Sequence, residues 1–219
     1  MRAEAIEKLV SKPVKDTYNR YVGFVVGFSV ETSGELSSIG VDQGNGVFTE
    51  YPSSQLVSGP EGFIVIPSWK VDCESLGKEI EAVRKRARAL EELAHEGEVS
   101  RQLFDELMAK YSEEIGKIQE SYKTLSEEMG VRSQELDLQR ETLDRFLVNV
   151  KVQFRAGEID EPAFKVASES CLAMQKRNAQ EKEELGRMLK FISEPLGDQV
   201  QSNKGQPQVH APVAQTSTK

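Results

Sequence analysis

"HEGEVSRQLF", residues 95–104, interrupts a long run of Glu, Lys, Arg, Leu and Ala, and a near copy, "RAGEIDEPAF", interrupts it again at residues 155–164. Each has Gly, Glu, a β-branched residue and Ser or Asp in succession, with a Phe four positions further on. Gly97 and Gly157 can adopt the left-handed conformation that ends a helix, and Ser100 and Asp160 can accept hydrogen bonds from the first N–H groups of the next. Pro162 then falls in a first helical turn, where its missing N–H costs little. Both stretches are predicted to be tight reversals between antiparallel helices.

The helices on either side of these reversals carry apolar residues at alternating spacings of four and three. The first, over residues 70–96, places Leu76, Ile80, Val83, Ala87, Leu90 and Ala94 on one line. The second sustains the pattern from Phe104 to Val150 and includes Ile115, Ile118, Tyr122, Leu125, Met129, Leu136, Leu143 and Phe146. A repeat kept up over so many heptads is of coiled-coil type, not merely amphipathic. Arg132 and Gln139 interrupt it, and polar residues at such positions set register or partner choice at some cost in stability. The third helix, over residues 161–192, carries Phe164, Ala167, Cys171, Met174, Leu185, Leu189 and Ile192 around a polar middle at Asn178 to Glu184.

Length then predicts an arrangement. At 1.5 Å per residue the second helix is about 85 Å long, nearly the sum of the other two. The expectation is a rod in which the first helix folds back along one half of the second and the third along the other half. An apolar stripe is left for another copy of the chain, with the eight seam residues Ile115 to Phe146 named above as the expected self-assembly contacts.

Upstream, residues 8–69 are rich in Val, Phe, Tyr, Gly and Ser, with turn residues between short β-branched and aromatic runs. Strands are predicted near residues 13–16, 21–31, 35–42, 46–51 and 62–66. A domain of this size with five or six short strands reads as a small barrel or rolled sheet. Its most glycine-rich piece, "GVDQGNGVFTEY" (residues 40–51), raises the question of a phosphate loop. Such loops join a strand to a helix, whereas Gly44-Asn45-Gly46 is followed by another strand and by no Lys-Ser/Thr pair, so a hairpin turn is expected. Residues 193–219, rich in Pro, Gln and Ser and without periodicity, are expected to be a disordered tail.

The chain of 219 residues has 28 Lys and Arg against 36 Asp and Glu, for a net charge of −8. Most of that excess falls in the helical stretch, an overall balance unlike that of a nucleic-acid binder. Against it stands one basic run, Arg84, Lys85, Arg86 and Arg88. It reads either as a solvated face paired with acids of the second helix or as a contact for an anionic lipid surface or the DNA backbone. Cys73 and Cys171 are far apart, and His95 and His210 lie near neither, so no metal or cofactor site is expected. No Ser, Cys or carboxylate pair assembles with a base into a catalytic set. The opening "MRAEAIEKLV" lacks the apolar run of a secretory signal and no stretch has the length of a membrane span, so a soluble cytoplasmic protein is expected.

The order of these parts carries a resemblance. "SKPVKDTYNRYVGFVVGFSVETSGEL" (residues 11–36) resembles the opening of a PRC-barrel domain. With "IGVDQGNGVFTEYPSSQL" (residues 39–56), "FIVIPSWKV" (residues 63–71) and the Gly-Glu-Val-Ser reversal after a basic helix, residues 8–192 resemble the CdvA family of archaeal cell-division proteins. The resemblance implies an α+β chain, with a small N-terminal PRC-type β-barrel (residues 8–69) followed by a long antiparallel helical coiled coil (residues 70–192). It also implies a non-enzymatic scaffold that forms dimers and filaments and associates with DNA. Such a scaffold recruits an ESCRT-III-like protein of the CdvB type to the inner face of the membrane at the division site. Recruitment in that family uses a C-terminal peptide that adds a strand to a winged-helix domain. In this tail Val209 and Val213 are the candidate docking residues, beside Pro212, which departs from a strand pattern. The alternative is a nucleoid-associated or ribonucleoprotein adaptor that docks a partner on the barrel and phosphate on the basic run.

Overall fold

The computed structural model describes residues 10–44, 46–59 and 62–202. Six strands come first: β1 Pro13–Asp16, β2 Tyr21–Val30, β3 Leu36–Gly44, β4 Val47–Pro52, β5 Leu56–Ser58 and β6 Phe63–Val65. They form one sheet in the order β4-β3-β2-β1-β6-β5. β1 to β4 make an antiparallel meander, β6 pairs with β1 in parallel, and β5 returns antiparallel on β6. Gly44 and Gly46, at φ of 87° and 77°, turn β3 into β4 as a hairpin.

The sheet departs from the closed barrel expected of a PRC-type domain, because no ladder joins β4 to β5. These two edge strands are nevertheless consecutive in the chain, with only a 3-10 turn at Ser53–Gln55 between them. The four steps from Pro52 to Leu56 reach about 14 Å at most. The sheet therefore rolls until its edges approach, and the tight turn takes the place of a closing ladder. Inside the roll lie Val14, Val25, Leu36, Ile39, Val41, Phe63 and Val65.

Three helices follow: α1 Ser68–His95, α2 Arg101–Arg155 and α3 Glu161–Ser202. Both reversals are built as the residue types require. Gly97 and Gly157 have φ of 76° and 74°. Just beyond them the Glu98 N–H bonds back to the Leu93 carbonyl at 3.0 Å and the Glu158 N–H to that of Gln153 at 2.9 Å, closing the last turn of each helix. The Ser100 hydroxyl then accepts from the Leu103 N–H at 3.3 Å, and the Asp160 carboxylate from the Ala163 N–H at 2.9 Å.

α1 folds back on the first half of α2 and α3 on the second, as the lengths predict. α3 continues past Ile192 to Ser202, and its stretch from Glu184 to Ile192 overlaps the start of α1. Cys73 Sγ lies 3.5 Å from Met129 Sδ, Gly77 faces the Phe191 ring, and Lys70 pairs with Glu184. The cause of the overlap is that Leu185, Met188, Leu189 and Ile192 resume an apolar line after the polar middle of α3. Three helices thus pack together only in a central section, around Trp69, Cys73, Leu76, Leu125, Met129, Leu185 and Ile192. On each side of it the rod is a two-helix hairpin.

Candidate assembly and docking surfaces

The two polar interruptions of α2 meet the polar middle of α3. Arg132 donates through Nε to Glu181 Oε1 at 2.8 Å and through Nη2 to Oε2 at 3.1 Å, and the Asn178 side-chain amide donates to Gln139 Oε1 at 3.0 Å. Glu181 is only 2% exposed, so a lone carboxylate there would be costly; it is satisfied because Arg20, on the β1–β2 turn, also donates to it. Arg20 is itself positioned by Asp16 at 2.5 Å and lies over the Tyr18 ring at 4.9 Å. The Tyr18 hydroxyl donates to Glu184 at 2.7 Å, and Lys70 donates to the same carboxylate. The hydrogen bonds that Arg132 donates to Glu181 hold its guanidinium further toward the charged form. Burial, then Glu184, pushes the Tyr18 phenol above its ordinary range. At Glu184 burial acts upward, but the Lys70 and Tyr18 hydrogen bonds outweigh it and leave the carboxyl below its usual range.

Outside this hub the expected seam divides. Ile118, Leu125, Met129, Leu136 and Leu143 are buried within the chain, Ile115 and Tyr122 are half-buried, and Phe146 is exposed. Ile118, Leu125, Arg132, Gln139 and Phe146 recur every seven residues and so share one line on α2. Where α1 runs beside that line, Ile118 and Leu125 are 5% and 6% exposed; beyond the start of α1, Phe146 is 56% exposed. α3 repeats the arrangement. Glu181 is covered by Arg20 of the β1–β2 turn and Met188 is half-buried against the helical core, while Met174, seven residues before Glu181, is 47% exposed. The Gln139–Asn178 and Asp144–Gln175 hydrogen bonds set the register of the two helices, which puts Phe146 and Met174 within about one turn of each other. The third-helix position that α1 fills in one half of the rod is thus open in the other, with Phe146 and Met174 exposed there.

The basic run does not form a single face. Arg84 and Arg88 share a stripe of α1, Lys85 stands to one side and pairs with Glu81 at 2.6 Å, and Arg86 projects away from all three. On the β domain, exposed Phe24, Val26 and Phe48 lie on the outer face of the sheet, with Tyr21 edge-on to Phe24 at 5.3 Å and the Phe48 ring across Gly40. No helix among the described residues is long and apolar enough to cross a membrane.

Residues 68–215, from the first residue of α1 onward, match the family described as the CdvA-like coiled-coil domain. The chain belongs to the CdvA-like family. Cell division protein A of Sulfolobus acidocaldarius is 28% identical to it over 186 residues, which covers 85% of this chain and 78% of that relative. That match is longer than everything from Ser68 to the end of the chain, so it reaches back into the sheet. No solved structure matches.

In this CdvA-like chain the family match begins where the rod begins, and the expected docking residues Val209 and Val213 fall inside it but outside the described residues. Asp16, Tyr18 and Arg20 were not among the sequence candidates, although they tie the sheet to the rod. Complementary interruptions were the available signal: a cation and an amide on α2 facing an amide and a carboxylate on α3.

Proposed function

We propose that this CdvA-like chain is a non-enzymatic scaffold of archaeal cell division. It assembles through its helical rod into filaments, and at the inner face of the membrane at the division site it brings in an ESCRT-III-like protein of the CdvB type. The cell-division role rests on family membership and on the relative that bears that name. The observation that carries assembly is the open groove beside Leu143, where Phe146 and Met174 lie in the line that α1 covers elsewhere. A helix of a second copy is the occupant whose chemistry matches, since it would complete a three-helix packing the rod already makes with itself. Many weak contacts along such a polymer would then give avidity for partners without any strong single site.

The test is pelleting of the full chain. Wild type is expected to sediment as polymer, and a Phe146→Asp, Met174→Asp double variant to stay in the supernatant with unchanged helicity; undiminished pelleting of the variant would sink the groove reading. Leu125 and Leu136 are unsuitable targets, because a charge at either would disrupt the chain's own core. A CdvB-type protein should pellet with wild type and fail to do so when residues 203–219 are removed. A second reading, phosphate binding through the Arg84–Arg88 stripe, would show as a salt-dependent DNA gel shift lost on neutralising both residues.

A further inference from the structure

The β domain and the rod have separate apolar cores, and among the described residues Tyr18 is the one β-domain side chain inside the helical core. Hydrogen bonds and ion pairs between the two bodies add a polar contact beside it. Arg20 reaches Asn178 and Glu181 of α3, and Tyr18 reaches Glu184, which Lys70 also holds. The covalent link is short, with only Ile66 and Pro67 between β6 and α1.

We propose that this junction is an electrostatic latch, from which the β domain swings as an intact body about Ile66 and Pro67. The reason lies in how the charges are shared. When the bodies part, Glu181 keeps Arg132, Arg20 keeps Asp16, and Glu184 keeps Lys70, so each of these charges retains a partner in the released state. Separation therefore avoids the orphaned charge that makes breaking a buried ion pair costly. Small polar interfaces between domains are also the ones that move first, and salt weakens their attraction. The β domain's own core stays closed, and the rod's core gives up only Tyr18.

Trp69 is the chain's only tryptophan and shares its core with Tyr18, so its fluorescence reports release directly. The experiment follows Trp69 emission and far-UV circular dichroism of the full chain from low salt to molar NaCl, for wild type, Arg20→Lys and Arg20→Ala. Arg20 is chosen because it lies outside both apolar cores. The expected result is a red shift with salt at constant helicity in wild type, the shift present already at low salt in Arg20→Ala, and an intermediate salt midpoint in Arg20→Lys, whose ammonium cannot span Asp16, Asn178 and Glu181 together. Emission of Arg20→Ala identical to wild type at every salt would overturn the latch, as would a red shift that falls in step with loss of helix. The shift should not depend on protein concentration; one that does reports assembly and also overturns the proposal.

Discussion

Replacing Glu181 by Ala removes the carboxylate that two arginines share at a point where it is 2% exposed. Arg132 is left with Glu135, whose side chain is 53% exposed, and Arg20 with Asp16. Breaking a fully buried pair costs about 3–5 kcal/mol, because the remaining charge has lost its water. The two guanidinium side chains are 31% and 21% exposed, so solvent recovers part of that cost. A destabilisation of about 2–3 kcal/mol follows, or at least thirtyfold in the folding equilibrium. Urea unfolding followed at 222 nm measures it, at one protein concentration because assembly makes stability concentration-dependent. The midpoint should fall by roughly 1 M with little change in slope. The double variant Arg132→Met, Glu181→Leu should regain most of the loss, since an apolar pair of similar size fills the site without a desolvation cost. A single variant that loses less than about 0.5 kcal/mol would refute the reasoning, because that is the scale of a solvated surface pair. So would a double variant as damaged as the single.

The rod's inward and outward leucines should separate by stability: Leu136→Ala, at 2% exposure, is expected to cost about 2–5 kcal/mol, and Leu138→Ala, at 64%, less than about 0.5 kcal/mol, both read from the same urea curves. Burial pushes the Cys73 thiol up to about 11, so at pH 8 a disulfide reagent should titrate Cys171 first and reach Cys73 only on unfolding; prompt reaction of both thiols would contradict its placement. The Tyr18 phenol is held above its ordinary value of 10.0, which favours its neutral form in the folded state. Its contribution is complete below pH 10 and is lost as pH rises above it, so Tyr18→Phe should lose less stability than wild type between pH 9 and pH 11. Equal losses in the two proteins would exclude that role.

The reversals were legible because capping is local: Gly97 with Ser100, and Gly157 with Asp160, specify their turns within a few residues. The rod was legible because one period runs the length of α2. The opening of the sheet was not, since β5 is three residues long and no alternation can be read from three. The hub was half legible. Arg132 and Gln139 stood out as breaks in the seam, but Arg20 is 158 and 161 positions from Asn178 and Glu181, and nothing local announces it. Periodicity was also blind to which seam residues serve the chain itself. Ile118 and Phe146 occupy the same heptad line, and only the reach of α1 buries one and leaves the other open.

The most direct test of the scaffold account is negative-stain electron microscopy of the purified full chain beside its Phe146→Asp, Met174→Asp variant, each with and without anionic liposomes. The account predicts filaments for wild type, gathered on the liposome surface, and separate particles about 80 Å long for the variant. Separate particles of that size for wild type under every condition, or filaments formed equally by the variant, would contradict it.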